Sequence, residues 1–338
     1  MDSHGADTHF SRGIHGSGDT MPGPATIREE LKKSPVSYVI GVAGDSGSGK
    51  STFTEAIRQL LGSDLVTTIT MDDYHLYGRA ERHQRGITPL SPDANDLAGL
   101  EKDVRAFRNG HPIIKRRYNH ATGELEGPVA VPHTGILILE GLHALYTPQL
   151  RELLDYSVYV NPAPDVKREW KLKRDVERRG YTEEEVRQEM AAREDDFRAY
   201  IAPQRQYADA LIGISFSRYG RGLGWQQNIY RTTLAAGPLA GAATPVYLYL
   251  DIERAYSCPG HPCSLECSVE RVGERVLGAL VLDGGFPLSI ADPVVRAIES
   301  ETGVDPRPIL PAAPPLPPVT LVQLLLCWRI LHHRLHAV

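Results

Sequence analysis

The stretch GVAGDSGSGKSTF, residues 41–53, combines four glycines and three serines with a single lysine. The spacing Gly44-x4-Gly49-Lys50-Ser51 matches the phosphate-binding loop pattern, which requires a strand before it and a helix after it. The flanking sequences meet that requirement, because SYVIGVA is a β-rich apolar run and STFTEAIRQLL has apolar residues at helical spacing. Glycines let backbone N–H groups turn toward an anion, and the helix adds the positive end of its dipole. The stretch therefore predicts a nucleotide site.

Each part of the loop has an expected role at that site. Lys50 would reach the β- and γ-phosphates, and the Ser51 hydroxyl would hold Mg²⁺. A flexible turn is the alternative, but it would not need the Lys-Ser pair. The predicted ATP-binding residues are Gly44, Asp45, Ser46, Gly47, Ser48, Gly49, Lys50, Ser51 and Thr52.

Composition restricts the class of protein. The chain has 338 residues with 41% hydrophobic and 23% charged residues, which predicts a soluble globular protein. A net charge of −5 argues against a nucleic-acid partner. Four cysteines in a chain of this length favour a reducing cytoplasm over a disulfide framework. The first 35 residues lack the apolar core of a signal peptide, and no apolar run is long enough to span a membrane.

Alternating strand and helix patterns predict an α/β fold, a mostly parallel sheet flanked by helices. The predicted strands are 65–70, 135–141, 156–160 and 208–215, and the main helical stretches are 95–108 and 164–199. We divide the chain into a disordered leader (1–26), a kinase domain with a lid helix (27–216), a smaller C-terminal α+β extension (217–305) and a proline-rich linker with a terminal helix (306–338). Within the extension, residues 268–281 and 290–301 are predicted to be helical.

TMDDYHLYGR, residues 70–79, places two carboxylates, Asp72 and Asp73, directly after a predicted strand. A kinase that phosphorylates a hydroxyl needs a carboxylate to accept the proton, and these two aspartates are the candidates. His75 and Arg79 follow where they could bind an anionic group of the acceptor. The alternative is a capped helix start with solvated charges.

Two further stretches carry charged residues beside predicted strands. KRRYNHATGE, residues 115–124, predicts a hairpin tip that presents cations and hydroxyl donors. LILEGLHALY, residues 137–146, places Glu140 at the end of a buried strand, where a second Mg²⁺ contact would be found. A carboxylate buried there without a partner would be costly, which favours a metal role.

VKREWKLKRDVERRGY, residues 166–181, predicts a charged helix. Lys171, Arg174, Asp175, Arg178 and Arg179 lie on one face of it. Cations on one face near a nucleotide indicate a lid over the phosphates, and a solvated helix with i,i+4 ion pairs is the alternative.

The end of the chain contains two stretches that the kinase chemistry does not need. CPGHPCSLEC brings together Cys258, His261, Cys263 and Cys267, a candidate zinc set whose alternative is reduced thiols. The apolar stretch 319–331 is too short to span a bilayer, and we interpret it as a docking helix or a dimer contact.

Together these motifs resemble the phosphoribulokinase family over residues 36–215, about half of the chain, in the order GDSGSGKST, DDYH, LSPDAND, RRYNHATG, ILEGLH, WKLKRDVERRGY and YIAPQRQYADALI. The resemblance implies ATP- and Mg²⁺-dependent phosphorylation of D-ribulose 5-phosphate at its C1 hydroxyl. It implies that Asp72 is the base. It also assigns a sugar-phosphate grip, namely His75, Arg79, Tyr118, His120, Arg179 and Arg193, and a phosphoryl-stabilising lid set, namely Lys171, Arg174, Asp175 and Arg179.

The sequence also departs from the family. Arg116 and Arg117 replace the usual Pro-x before Tyr118, and Ser48 stands where plant-type enzymes carry a loop cysteine. These differences suggest a branch outside plants and algae, with an archaeal type as one expectation. We separately expect a homodimer. A uridine-kinase-like nucleoside kinase and a nucleotide-binding regulatory switch without an acceptor remain as alternatives.

Overall fold

A computed structural model describes residues 27–239, 246–248 and 262–336. Its helices are α1 (Ile27–Lys33), α2 (Lys50–Leu61), α3 (Arg79–Arg85), α4 (Leu97–Arg108), α5 (Pro148–Glu152), α6 (Pro164–Arg179), α7 (Glu183–Ala192), α8 (Glu194–Asp196), α9 (Arg221–Gln227), α10 (Asp292–Thr302) and α11 (Pro318–His336). Its strands are β1 (Tyr38–Gly44), β2 (Val66–Thr70), β3 (Ile113–Asn119), β4 (Glu124–Val131), β5 (Ile136–Gly141), β6 (Tyr156–Pro162), β7 (Ala210–Phe216), β8 (Tyr230–Ala236), β9 (Cys263–Val272) and β10 (Arg275–Gly284).

The described part of the chain contains one eight-stranded sheet in the order β2-β5-β1-β6-β7-β8-β10-β9. Strands β2, β5, β1, β6 and β7 are parallel, and β8, β10 and β9 continue the sheet in antiparallel fashion. Every residue of β1 is buried, as expected for a central strand covered on both faces. The predicted α/β fold with a mostly parallel sheet is confirmed, and the predicted extension adds its strands to that same sheet.

The chain order places the phosphate-binding loop at the carboxyl end of β1, where ligands bind in open α/β sheets. Strands β5 and β6 lie on either side of β1, so their ends border the loop. A short 3₁₀ turn, Met71–Tyr74, follows β2 at the same edge. Strands β3 and β4 form a separate two-stranded hairpin that projects beside this turn.

Two sequence predictions need correction. The stretch 164–199 is not one helix: α6 ends before Gly180, which has φ 73°, and α7 starts with a capping box between Thr182 and Glu185.

The prediction of a helix over 268–281 is wrong, because those residues form parts of β9 and β10 around a turn at Gly273. Buried and more exposed side chains alternate at the start of β10, a period of two that belongs to a strand.

The terminal helix α11 is part of the core. Its apolar side chains, Leu321 and Leu324 among them, share a buried cluster with Phe53 and Ile57 of α2. In addition, Gln323 Nε2 donates to the carbonyl of Thr52 at 2.7 Å, in the first turn of α2. The stretch 319–331 is therefore a helix docked within its own chain.

Other predictions lie outside the described residues. The disordered leader, residues 1–26, is one of them, and Cys258 and His261 of the candidate zinc set are others. No helix in the described part of the chain is both long enough and apolar enough to cross a membrane.

Burial of α11 leads to a stability prediction. Leu324 is fully buried, so Leu324→Ala should lower the free energy of unfolding by about 2–5 kcal/mol through lost burial and a cavity. Leu335→Ala makes the same change in the last turn of the same helix, where the side chain is partly buried, and should cost less. Urea unfolding of both variants measures the difference, and equal losses would contradict the packing described above.

Candidate active site

The phosphate-binding loop has a backbone that only glycine adopts easily. Gly44 and Gly49 have φ 150° and 87°. A side chain on Gly44 would place its Cβ 2.5 Å from the carbonyl oxygen of Val160. The two positions therefore keep the loop close to β6 and curled at the start of α2.

Lys50 begins α2 and lies inside the curled loop. Its Nζ donates to the carbonyl oxygens of Gly44 at 3.0 Å and Asp45 at 2.7 Å. Burial lowers the pKa of Lys50, while the nearby carboxylates of Glu140, Asp45 and Asp72 act in the opposite direction. The ammonium is thus held at the floor of the site by main-chain oxygens that a phosphate could replace.

Helix α6 lies over this loop. Lys167 Nζ donates to Asp45 Oδ2 at 2.7 Å, and Arg174 Nη2 donates to Ser46 Oγ at 3.3 Å. The ring of Trp170 lies against Gly49, where an added Cβ would be 3.2 Å from it. Helix α6 therefore contacts the phosphate-binding loop directly, and its role as a lid stays a prediction.

Within the lid set, Asp175 is buried and binds three cations. Its carboxylate accepts from Lys171 at 2.8 Å and Arg174 at 2.8 Å, and Arg179 lies 3.2 Å away. Burial alone would raise the pKa of Asp175, but the bonds from Arg174 and Lys171 lower it to about 2. Burial lowers the pKa of Lys171 to about 8. Arg174 and Arg179 line the cleft, whereas Lys171 and Asp175 lie behind them, so we correct the expectation that all four face the phosphates.

The two adjacent aspartates at the end of β2 point in different directions. Asp73 is buried, forms an ion pair with Lys115, and accepts the N–H of Tyr118 at 2.8 Å. Asp72 lines the cleft with its side chain 30% exposed. The structure thus leaves Asp72 free to meet a substrate and uses Asp73 to hold the β3–β4 hairpin.

Two histidines flank Asp72. His75 Nε2 lies 3.6 Å from Asp72 Oδ1, and His120 Nε2 lies 3.5 Å from Asp72 Oδ2. His75 is buried and His120, near the hairpin tip, is half exposed. Burial lowers the pKa of both imidazoles, while Asp72 acts to raise it. The surroundings therefore favour the uncharged form of both imidazoles.

Arginines surround the acceptor side of the cleft. Arg79 Nη2 donates to the carbonyl of His120 at 2.6 Å, and Arg193 forms an ion pair with Glu189 of α7. Arg179, the last residue of α6, also lines the cleft. Burial lowers the pKa of Arg179 and Arg193, but a guanidinium keeps its charge. This side of the cleft suits an anionic group.

The predicted magnesium residues both line the cleft. Ser51 is exposed in the first turn of α2, and Glu140 lies at the end of β5. Glu140 accepts from Thr54 Oγ1 at 2.8 Å, so the carboxylate has a partner in the protein, contrary to our expectation of an unpaired group. A hydroxyl and a carboxylate are the hard oxygen ligands that suit Mg²⁺, which takes its remaining ligands from water and phosphates. The donor set therefore fits a nucleotide-bound Mg²⁺.

One cleft of about 860 Å³ brings these groups together. Most of the predicted site residues line it. They are Ser46, Gly47, Ser48, Gly49, Lys50, Ser51, Asp72, His75, Arg79, Tyr118, His120, Glu140, Arg174, Arg179 and Arg193. Three of the predicted residues do not line the cleft, namely Gly44 at the end of β1, Asp45 in the loop and Thr52 in the first turn of α2.

The hairpin stretch 115–124 differs from its prediction. Lys115 and Arg116 lie on β3 rather than at the tip, and Arg116 Nη2 donates to the carbonyl of His75 at 3.1 Å. The tip itself carries His120 and Gly123, which has φ 80°.

The zinc prediction does not agree with the strand geometry. Cys263 and Cys267 both lie on β9, four residues apart. Four residues of strand span about 13 Å, whereas thiolates on one tetrahedral zinc lie within about 4 Å of each other. These two cysteines therefore cannot bind the same ion, and no group of possible metal ligands is found within the described ranges.

Sequence reasoning missed Arg82 and Asn95. Arg82 is buried, and its Nη2 donates to the Tyr118 hydroxyl at 3.1 Å. Asn95 is buried against His75. Arg82 follows Arg79 by three residues on α3, a helical spacing that could have indicated it. Asn95 lies in LSPDAND, one of the stretches that carry the family resemblance, but its role was not predicted because it meets His75 only through the fold.

The comparisons with known proteins agree with this geometry. The model of the Phosphoribulokinase / Uridine kinase family matches residues 39–216, just over half of the chain. The chain is 43% identical over 176 residues to phosphoribulokinase from Synechocystis sp., covering 52% of this chain and 53% of that protein. It is 40% identical over 193 residues to chloroplastic phosphoribulokinase from Mesembryanthemum crystallinum, covering 52% and 49%. The chain spans about half the length of the curated phosphoribulokinases it matches.

A uridine kinase from Latilactobacillus sakei is 32% identical over 184 residues, covering 54% of this chain and 86% of that protein. Among solved structures, phosphoribulokinase from Rhodobacter spheroides superposes with a TM-score of 0.52 at 19% identity, covering 73% of this chain and 91% of that one. At that identity the likeness shows the fold alone. The chain belongs to the phosphoribulokinase/uridine kinase family.

Proposed function

We propose that the protein is an ATP-dependent kinase that phosphorylates the C1 hydroxyl of D-ribulose 5-phosphate, giving ribulose 1,5-bisphosphate and ADP. The observation that carries the proposal is the position of Asp72. It lies in the same cleft as the phosphate-binding loop, between two histidines and facing a set of arginines. The relatives with the higher identities carry the name phosphoribulokinase, which agrees with that acceptor.

The donor side of the cleft suits ATP. The backbone N–H groups of the loop and the start of α2 would bind the phosphates, and Lys50 would neutralise charge between the β- and γ-positions. Ser51 and Glu140 would hold Mg²⁺, which supplies further positive charge to the phosphates when it is bound. Arg174, already within reach of the loop at Ser46, would stabilise the phosphoryl group during transfer.

The acceptor side needs a general base and groups that bind the phosphate of the acceptor. Asp72 would accept the proton of the attacking hydroxyl, a role that suits a partly exposed carboxylate at the cleft surface. Arg79, Arg179 and Arg193 would bind the phosphate that the acceptor already carries, because guanidinium groups make charge-assisted, bidentate bonds to phosphate. Tyr118 and His120 would contact the sugar between these two ends.

Lys171 and Asp175 contribute from behind the cleft. Asp175 draws Arg174 and Arg179 to one place, and Lys171 compensates its charge from the buried side. We assign these two residues to the positioning of the lid arginines rather than to contact with the transferring phosphoryl group.

The alternatives differ in what they require of the cleft. A uridine-kinase-like enzyme would need groups that recognise a neutral base and an uncharged ribose, whereas the acceptor side here is rich in arginine. A regulatory nucleotide switch would not need Asp72 with its flanking histidines. Homodimer assembly and a cytoplasmic location stay predictions.

ADP release with ribulose 5-phosphate, with uridine and with neither tests the proposal directly. We expect rapid release only with ribulose 5-phosphate. Lys50→Met should lower that rate at least about a hundredfold, because it removes positive charge from the phosphates, while the fold remains intact. Lys102→Met, on the exposed face of α4, is the matched control. Faster turnover of uridine would show that the acceptor assignment is wrong.

The neighbouring aspartates give a second test, because the same substitution should have different effects. Asp72→Asn should lower kcat about 10²–10⁴-fold with a small change in KM and in thermal stability, as expected for a lost base. Asp73→Asn should instead destabilise the fold by about 3–5 kcal/mol, because it leaves Lys115 buried without its partner. Steady-state kinetics and thermal unfolding of both variants measure this, and a reversed pattern would make Asp73 the base.

Arg79 provides a third test, on recognition of the acceptor phosphate. Arg79→Ala should raise the KM for ribulose 5-phosphate severely and leave the KM for ATP nearly unchanged. Unphosphorylated ribulose should be a poor substrate of the wild type, and the substitution should worsen it little further. The ratio of the two losses isolates the contact with the phosphate, and Arg105→Ala on the exposed face of α4 is the control. Equal losses with both sugars would show that Arg79 does not bind the phosphate.

A further inference from the structure

A buried contact between His75 and Asn95 lies beneath the acceptor side of the cleft. His75 Nδ1 is 2.8 Å from Asn95 Oδ1. The other ring nitrogen, Nε2, points toward Asp72 Oδ1 at 3.6 Å. One nitrogen of the imidazole therefore meets the protein interior, and the other meets the carboxylate that we assign as the base.

The orientation of the Asn95 amide is fixed by its other bonds. Asn95 Nδ2 donates to the carbonyl oxygens of Pro89 at 3.1 Å and Ser91 at 2.8 Å. The reverse orientation would place Oδ1 against these two carbonyl oxygens, and no hydrogen bond could form because all three oxygens are acceptors. Oδ1 must therefore face His75, and because Oδ1 only accepts, His75 Nδ1 must carry the proton.

The main chain holds the two residues together independently of this contact. The N–H of Leu76 donates to the carbonyl of Ala94 at 2.9 Å, and the N–H of Asp96 donates to the carbonyl of Tyr74 at 2.8 Å. His75 and Asn95 form an isolated antiparallel bridge between these bonds. A substitution of the Asn95 side chain should therefore change the hydrogen bonding of His75 without separating the two segments.

We propose that Asn95 is a positioning residue that holds His75 in the Nδ1–H tautomer, so that Nε2 offers its lone pair to a hydroxyl of the acceptor beside Asp72. The proposal rests on the proposed kinase function and refines it. It changes the expected role of His75, which would accept a hydrogen bond from a sugar hydroxyl. The acceptor phosphate would then be bound by the arginines. An acceptor with neighbouring hydroxyls can then donate one to Asp72 and another to His75.

The surroundings of His75 favour the neutral imidazole that this role requires. Burial is the main cause that lowers its pKa, and the charge of Arg82 from α3 and the neighbouring imidazole of His120 from the hairpin act in the same direction. Asp72 and the bond to Asn95 oppose them. The Tyr118 ring lies edge-on at 5.1 Å, and His143, from the segment after β5, is a further titratable group close enough to interact.

The tautomer can be measured on the full-length protein without substrate. Of the 13 histidines, the ¹⁵N ring signals of His75 are identified by their loss in His75→Gln. We expect a protonated Nδ1 and an unprotonated Nε2 in the wild type. Asn95→Leu, which cannot accept, should lose this preference. Asn95→Asp loses the two bonds to the carbonyls of Pro89 and Ser91, as Asn95→Leu does, but still accepts from Nδ1 and should keep the preference. A wild-type Nε2–H tautomer, or no change in Asn95→Leu, would overturn the proposal.

Steady-state kinetics then distinguish two explanations for an effect of Asn95, namely its bond to His75 and a general loosening of the loop that carries it. Asn95→Leu should raise the KM for the acceptor about tenfold, the effect of one lost hydrogen bond, with little change in the KM for ATP. Asn95→Asp adds a negative charge next to Nδ1 and raises the pKa of His75. Because the neutral form is the active one, activity is lost as pH falls through that pKa, so the acid limb of kcat/KM should move to higher pH.

Ser91→Ala is the control for the loop, since the Ser91 hydroxyl accepts the N–H of Asp93 and does not contact His75. It should leave the tautomer and the acid limb unchanged. If Ser91→Ala reproduced the effects of Asn95→Leu, Asn95 would act only through the loop. A failure of the proposed function would be distinct, because the protein would not release ADP with ribulose 5-phosphate although the tautomer was as expected.

Discussion

The buried carboxylate of Asp73 is the interaction on which the acceptor side of the cleft depends. Strands β3 and β4 pair only with each other among the described strands, so they need another attachment to the main sheet. Asp73 provides it by accepting from Lys115 and from the N–H of Tyr118, both on β3. With that carboxylate occupied inside, the short turn after β2 directs Asp72 into the cleft. Asp73 therefore attaches the hairpin, and its neighbour Asp72 remains available to a substrate.

The lid repeats this division between buried and exposed charge. Asp175 is buried, and its bonds with Arg174 and Arg179 hold both guanidinium groups at the cleft surface. A long arginine side chain loses considerable conformational entropy when it binds a ligand. Holding the arginines in place beforehand reduces that cost when the phosphates arrive. The same argument applies to His75, whose ring is fixed by Asn95 before any acceptor binds.

How far the sequence predicts this structure depends on how local each feature is. The phosphate-binding loop, the strand ends and the charged helix α6 were predictable, because glycine spacing, apolar runs and helical periodicity are carried by neighbouring residues. The stretch 268–281 was not, because β9 is an edge strand in which consecutive residues, the apolar Val269 among them, are exposed, so its sequence shows no period of two. The different directions of Asp72 and Asp73 were also hidden, since the partners of the buried carboxylate, Lys115 and the N–H of Tyr118, lie more than 40 residues away in the sequence.

The C-terminal helix shows why the family match does not mark the limit of the folded unit. The match ends at residue 216, yet α11, about a hundred residues later, packs on α2, the helix that follows the phosphate-binding loop. Without α11, the apolar face of α2 that includes Phe53 and Ile57 would lose part of its cover, and the carbonyl of Thr52 would lose the bond from Gln323. Because α2 begins with Lys50, any movement of that helix would change the position of the lysine at the phosphates. The support of the nucleotide site therefore comes partly from a region that the family comparison does not describe.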